Sequence, residues 1–186
     1  MKSNMFRLGL ASALLIGGAV VPAAAQQSRG LEFGMDAGLF HYSYSSGNGP
    51  RPASTTVLSF PVSSVRAAFP LSGSFELEPA ATLVYQNGGG RTAVTFSGNV
   101  GLLMELGGDS KLSQWYVRPS VGLILASSSG FSTSDRATIG AGVGTRMRLT
   151  DRIAARYEAR YQYVSKANNY SMNVVGLLAG LSIFTR

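Results

Sequence analysis

The chain has 186 residues, a formal charge of +7, 13% charged residues and no cysteine, which suits one domain of modest size. The lack of cysteine excludes disulfides and thiolate metal sites. Scattered Arg residues carry the positive charge and Lys stands only at Lys2, Lys111 and Lys166, so the clustered basic face that nucleic-acid binding requires is missing. No nucleic-acid partner is expected.

The first 25 residues have the order of regions found in a secretory signal peptide. Lys2 and Arg7 precede an uncharged stretch over 8–21, and Pro22-Ala23-Ala24-Ala25-Gln26 follows. Small residues and a proline close the apolar run, which favours a cleavage site over a membrane-anchoring helix. We expect cleavage after Ala25, with 1–25 as signal peptide and 26–186 as the mature domain, whose formal charge falls from +7 to +5 (7 − 2).

From Leu31 onward apolar and polar residues alternate with a period of two, in segments separated by clusters of Gly, Ser, Asn, Asp and Pro. This pattern predicts an all-β fold, a meander of antiparallel strands. Eight strands are expected, near 31–44, 55–69, 75–86, 92–106, 113–126, 136–149, 153–165 and 171–185. An even number of strands in this order can close into an up-and-down β-barrel.

Most of these strands have one apolar face and one polar face. In the sixth strand, for example, Ile139 and Val143 alternate with Gly140 and Gly142. A soluble, lipocalin-like periplasmic binding barrel would show the same alternation with its apolar face inward, and it is kept as an alternative. Three features favour instead a transmembrane barrel with its apolar face outward.

The first two features concern the apolar face itself. It persists for about ten residues in each strand, the length that a tilted strand needs to cross a bilayer. Aromatic residues on this face gather near both predicted ends, as in the girdles of membrane barrels. They are Phe33, Phe69, Phe75 and Trp115 at the periplasmic rim and Tyr85, Phe96, Tyr161 and Tyr163 at the outer rim.

The third feature is a polar face that is rich in glycine and balanced in charge. Buried carboxylates need partners, and one Arg guanidinium can bind two of them. An eight-stranded barrel leaves an interior just wide enough for side chains, so we expect a network that closes the lumen, with Phe40, Tyr42, Tyr116 and Ile124 adding bulk. Its charged residues are Glu32, Asp36, Glu76, Glu78, Glu105 and Glu158 against Arg66, Arg118, Arg146, Arg148, Arg156 and Arg160.

Tight and longer connections alternate along the chain. The tight ones, 70–74, 107–112 and 150–152, are expected in the periplasm, because membrane barrels have short periplasmic turns and longer outer loops. The outer loops are expected at 45–54, 87–91, 127–135 and 166–170. Within them, the Ser-rich stretch 127–134 is interpreted as a solvated loop, and Gly88-Gly89-Gly90 as a turn, since no helix follows to hold a phosphate.

His41 and Ser43 form the one pair that could carry chemistry, two residues apart on the lipid-facing side of the first strand. The pair resembles the His-x-Ser of outer-membrane lipid A deacylases, where Asn-Ala follows; here Tyr44 and Ser45 follow. An orienting acid, which activation of the serine requires, is not evident on this face. No catalytic residue is assigned and no enzyme is expected, although a lipid-modifying enzyme remains the alternative. One histidine without cysteine cannot build a metal cluster, so neither a metal nor another cofactor is expected.

The architecture and the last strand, Ala179-Gly180-Leu181-Ser182-Ile183-Phe184, resemble the small outer-membrane barrel family that includes the transmembrane domain of outer membrane protein A. The resemblance implies a monomer in the outer membrane of a diderm bacterium, in contact with membrane lipids and lipopolysaccharide. It also implies recognition of the C-terminal strand by the outer-membrane assembly machinery, although this chain continues with Thr185 and Arg186. The implied role is structural or surface interaction; the periplasmic domain of larger relatives is not expected, and short loops argue against a dedicated adhesin.

Overall fold

The structure, a computed structural model, describes residues 30–46, 54–88, 91–106, 113–128, 131–167 and 170–185. Each strand pairs with its neighbour in sequence and the last pairs with the first, which closes the sheet into a barrel. The predicted all-β, eight-stranded antiparallel barrel is therefore confirmed. The strands are β1 Glu32–Ser46, β2 Thr55–Ser72, β3 Phe75–Gly88, β4 Arg91–Leu106, β5 Ser113–Ser128, β6 Phe131–Arg148, β7 Ile153–Ala167 and β8 Tyr170–Phe184.

These ranges contain no helix that is long and apolar enough to cross a lipid bilayer. The signal-peptide prediction for 1–25 concerns residues outside the described ones.

The strand register sets the tilt of the barrel. A row of paired residues that starts at Gly34 and passes once around the sheet returns to β1 at Tyr44, a displacement of ten residues (44 − 34). Such a displacement over eight strands corresponds to a strand tilt of about 40° from the barrel axis. The row is Gly34, Arg66, Ala80, Asn99, Gly122, Thr138, Val164, Met172 and Tyr44.

The two ends of the barrel differ in their connections. The terminal end, where β1 begins and β8 ends, carries the two-residue turn between β2 and β3, in which Gly73 adopts a φ of 53° that favours glycine. It also carries the turn over 149–152, where the Thr150 hydroxyl accepts a hydrogen bond from the Ile153 amide at 3.1 Å. The predicted tight turn over 107–112 lies outside the described residues. The distal end carries the other four connections.

The strands reach further toward the distal end than predicted. The prediction of a loop over 127–135 is wrong: β5 continues to Ser128, β6 begins at Phe131, and these two residues pair. Backbone N–H and C=O groups are satisfied by the ladder whatever the side chains are, so a Ser-rich sequence continues the hairpin. Gly88 likewise belongs to β3, and 89–90 lie outside the described residues.

An irregularity in β2 reverses which residues of that strand face outward. Asp36 pairs with Ser64 and Gly38 with Ser59, so four residues of β2, 60–63, lie opposite one residue of β1. Leu58 is consequently 72% exposed and Val65 51% exposed, although one number is even and the other odd. The Ser63 hydroxyl donates to the Asp36 carbonyl at 2.8 Å and so satisfies an acceptor that the interrupted ladder leaves open.

The apolar face is the outside of the barrel. Large apolar side chains in the middle of the strands are exposed, including Val121 at 61% and Ile139 at 60%, whereas Glu78 and Arg118 are among the largest fully buried side chains. A soluble barrel has the opposite arrangement, because its oily face fills the interior. The core of this protein is therefore ionic in its middle layer.

Candidate functional site: the charged lumen

Glu78, on β3, lies at the centre of the lumen with 0% of its surface exposed. Its carboxylate is bound by the Arg156 guanidinium in two contacts, and Arg118 Nε lies 2.6 Å from its Oε1. Arg66 Nη1 approaches its other oxygen to 3.8 Å. One carboxylate thus joins arginines from three other strands, which links opposite walls of the barrel.

Glu158, on β7, forms a second centre closer to the distal end. It accepts hydrogen bonds from Arg156 Nη2 at 2.6 Å, Arg160 Nε at 2.7 Å and the Tyr116 hydroxyl at 3.0 Å. Tyr116 in turn accepts a bond from Arg156 Nε at 2.5 Å, and its ring centroid lies 4.6 Å from the Arg156 guanidinium carbon. Arg156 therefore connects both centres and stacks on an aromatic ring.

Two further arginines form ion pairs with the carboxylates near the terminal end. Arg66 binds Glu32 and, at 3.1 Å, Asp36, and donates to the Ser182 hydroxyl at 2.8 Å. Arg146 lies 2.9 Å from Glu32, 2.7 Å from Glu76 and 3.6 Å from Glu105.

Phe184 covers the carboxylates and arginines of this layer on the side of the terminal end. Its ring centroid lies 5.7 Å from the Arg146 guanidinium carbon, so the residue quoted for the C-terminal signal points into the lumen. The outward positions of the same strand end are occupied by Leu181 and Ile183.

The structure brings together eleven of the twelve charged residues predicted for the lumen. Arg148 is the exception: it lies in the last residue pair of the β6–β7 ladder and is exposed at the terminal rim. The described network consequently holds six carboxylates and five arginines rather than six of each. It comprises Glu32, Asp36, Glu76, Glu78, Glu105, Glu158, Arg66, Arg118, Arg146, Arg156 and Arg160.

Inward glycines make room for these long side chains. A Cβ atom at Gly101 would lie 2.5 Å from Arg118 Nε, and one at Gly144 would lie 2.3 Å from the Tyr116 hydroxyl. Real Cβ atoms do not approach other atoms so closely. In β6, where glycine alternates with apolar residues, Gly142 and Gly144 thus mark where Glu158 and Tyr116 cross the lumen.

An apolar layer covers the network toward the distal end, and sequence reasoning missed most of it. Val164, Val174 and Leu178 are buried, and the rings of Phe40 and Tyr42 lie 6.4 Å apart. In β8 both faces are apolar, since Val175 and Leu177 face outward beside inward Val174 and Leu178. Alternation therefore gave no signal there, and only the strand register separates the two faces.

Removing the Tyr116 hydroxyl should destabilise the barrel. Tyr116→Phe leaves Arg156 Nε and Glu158 each without one buried hydrogen-bond partner, at a cost of about 1–3 kcal/mol. The measurement is the urea dependence of unfolding in lipid vesicles. Tyr157→Phe is the matched control. Tyr157 directly precedes Glu158 in β7, but its side chain is 51% exposed on the outer face. Equal midpoints for the two variants would contradict the role given to Tyr116.

Most of the predicted girdle residues lie on the outside near the two ends. Phe33, Phe75 and Trp115 are exposed toward the terminal end, and Phe69 is half-buried there. On the distal half Tyr161 and Tyr163 are exposed and Phe96 is half-buried, while the Tyr85 side chain lies outside the described part. The Tyr161 hydroxyl donates to Asn173 Oδ1 at 2.7 Å.

His41 and Ser43 are both exposed on the outer face of β1 near the distal end. His41 Nδ1 hydrogen-bonds to Thr56 Oγ1 at 3.0 Å, and Ser43 lies opposite Asn173 in the ladder. The imidazole is thus engaged by a neighbouring strand at one of its two nitrogens. Within the described residues there is no group of three or more His, Cys, Asp or Glu that could hold a metal ion.

No protein-family model matches the chain, and no curated protein sequence matches it significantly. Solved structures do. Neisserial surface protein A is similar with a TM-score of 0.59 and 19% identity, over 82% of this chain and 97% of that one.

Two other barrels align with lower scores. Ail, the attachment invasion locus protein of Yersinia pestis, has a TM-score of 0.49 and 12% identity, over 84% of this chain and 100% of its own. The N-terminal β-barrel domain of Pseudomonas aeruginosa OprF has a TM-score of 0.46 and 14% identity, over 84% of this chain and 100% of its own. On the strand order, the register and the first of these similarities, the chain is a small eight-stranded β-barrel with the fold of Neisserial surface protein A.

Proposed function

We propose that this protein is an integral outer-membrane β-barrel of a diderm bacterium, with a structural or surface-interaction role and without catalytic activity. The observation that carries the proposal is the inverted distribution of polarity. Leu58, Leu83, Val121 and Ile139, on four different strands, each expose 60% or more of their surface, and the interior is ionic. Contiguous apolar surface of this extent is not tolerated in water, but it matches the band that lipid covers on a membrane barrel.

The closed lumen argues against a pore. Arg118, Arg156, Glu78 and Tyr116 fill the interior and are almost completely buried, and Val164 and Leu178 cover them toward the distal end. A water-filled path would leave these groups exposed. The barrel therefore acts through its rims, its loops and its lipid-facing surface.

The same geometry argues against an enzyme. Each lumen carboxylate is paired with at least one arginine in the closed interior, where a substrate cannot reach it. His41 faces the membrane side and its Nδ1 is bonded to the Thr56 hydroxyl rather than to a carboxylate, so the imidazole lacks the orienting acid that activation of Ser43 requires.

We infer the remaining partners from this location. Membrane lipids and lipopolysaccharide contact the outer face, the assembly machinery acts on β8, and the barrel is a monomer, since its sheet has no unpaired edge. The segment 1–25 directs export and is removed after Ala25, so that the terminal end lies in the periplasm.

Fractionation of cells that express the full chain tests the proposal. The protein should sediment with the outer membrane, begin at Gln26 by mass spectrometry, and migrate faster on a gel when unheated than when boiled, because a folded barrel stays compact in detergent. Recovery in the soluble periplasmic fraction would contradict it. So would migration that boiling does not change.

A further inference from the structure

The outer face of the barrel carries an apolar groove of about 580 Å³. It runs diagonally across the strands from Trp115 on β5, past Tyr157 and Leu177, to Leu58 on β2. Its floor is formed by small residues, among them Ala159 and Ala179, both exposed. Bulky side chains therefore flank an apolar groove whose floor consists of small side chains.

The groove begins at the level where a lipid headgroup ends. Trp115 is the third residue of β5 from the terminal end and is exposed, as an interfacial tryptophan is. From Trp115 the groove crosses three strand spacings to Ala179 on β8, which at a strand tilt of about 40° is a rise of about 9 Å along the membrane normal. Leu177 lies two residues further toward the distal end, about 5 Å more along the normal. One leaflet of a bilayer core is about 15 Å deep, so an acyl chain that enters beside Trp115 ends near Leu177.

Two exposed arginines lie at the terminal rim beyond this entrance. Trp115 pairs with Thr145, and Arg148 lies three residues further along β6, about 10 Å toward the rim. Arg152 follows in the turn over 149–152; both arginines are exposed, as is Asp151 between them. Two cations against one carboxylate favour an anionic headgroup.

We propose that the groove binds one anionic phospholipid of the periplasmic leaflet, with an acyl chain between Trp115 and Leu177 and its phosphate at Arg148 and Arg152. The inference rests on the proposed membrane location and adds a defined lipid site to it. It also assigns a role to Arg148, the charged residue that the lumen network leaves out.

The single tryptophan of the chain is a built-in probe for this site, since Trp115 lines the groove. The mature barrel is refolded into phosphatidylcholine vesicles that contain either dibrominated phosphatidylglycerol or dibrominated phosphatidylcholine at equal mole fraction. Bromine quenches tryptophan fluorescence on contact. We expect the anionic brominated lipid to quench several-fold more effectively at low mole fraction. Both leaflets have the same composition, so the direction of insertion does not matter.

Two sets of variants separate the headgroup from the acyl chain. Arg148→Gln with Arg152→Gln should abolish the preference for phosphatidylglycerol. Ala159→Phe and Ala179→Phe should do the same by filling the groove, because both side chains point outward and the substitutions leave the lumen untouched. Ala81→Phe is the control: Ala81 is outside the groove on β3, pairs with outward-facing Val65, and should keep the preference of the unmodified protein.

Equal quenching of the unmodified barrel by the two brominated lipids would overturn the lipid site and leave the membrane barrel intact. Retention of the preference in either set of variants would overturn it as well. Absence of quenching by both lipids, with no heat-modifiable band, would instead contradict the proposed membrane location.

Discussion

Glu78→Gln is expected to lower the free energy of unfolding by about 3–5 kcal/mol, the largest effect of any single neutralisation in the lumen. The substitution keeps the shape of the side chain and removes its charge. Arg118 and Arg156 would then remain buried without the carboxylate that each contacts, and Arg66 would lose a contact at 3.8 Å. Buried charges that lose their partner cost more than the pair contributed.

Urea-induced unfolding in vesicles, followed in both directions, measures this effect. Asp151→Asn is the control, because Asp151 is exposed in a turn and a surface substitution there should change stability by less than about 0.5 kcal/mol. The double variant Glu78→Gln with Arg118→Met should recover part of the loss, since removing both partners leaves fewer uncompensated charges. A midpoint that Glu78→Gln leaves unchanged would show that the lumen does not depend on this carboxylate.

Val121→Arg is expected to cost about 2–4 kcal/mol when the barrel is folded into a bilayer. Val121 lies in the middle of β5, its side chain is 61% exposed, and its ladder partners Val100 and Ile139 are apolar and exposed too. An arginine there places a charge at the depth of the hydrocarbon core. The folded fraction in vesicles at intermediate urea, read from heat-modifiable migration, should fall.

Ser45→Arg is the matched control for position along the membrane normal. Ser45 is exposed near the distal end of β1, where an arginine should cost only about 0–1 kcal/mol. If the outer face met water instead of lipid, Val121→Arg would also change stability by less than about 0.5 kcal/mol. Equal stability of the two variants would therefore contradict the membrane location.

Local sequence patterns were sufficient to predict the strands and, for most strands, which residues share a face. Alternation has a period of two within one strand, so Ile139 and Gly140 reveal their sides without knowledge of any partner. The same reasoning failed where a strand departs from regular pairing. In β2 the irregularity at 60–63 places both Leu58 and Val65 outside, which no single parity describes.

Local sequence patterns do not predict which charged side chains pair with each other in the lumen. Glu78 and Arg156 are 78 positions apart, and they meet only because closure of the barrel and its displacement of ten residues bring β3 opposite β7. Arg148 shares the parity of Arg146 but belongs to the last residue pair of the β6–β7 ladder, at the terminal rim. Its exclusion from the network depends on where β6 ends, and strand ends are the least reliable feature of a sequence-based prediction.

The sequence by itself determined an all-β chain of eight strands, an oily and a charged face, and a glycine-rich lumen side, because each depends on residues that are neighbours along one strand. The tertiary structure confirmed the outward oily face that the aromatic girdles and the balanced polar face favour. It alone decided which carboxylate binds which arginine and that five arginines rather than six fill the lumen. The register between strands sets which side chains meet, and it also aligns residues from β5 to β2 into one outward-facing apolar groove.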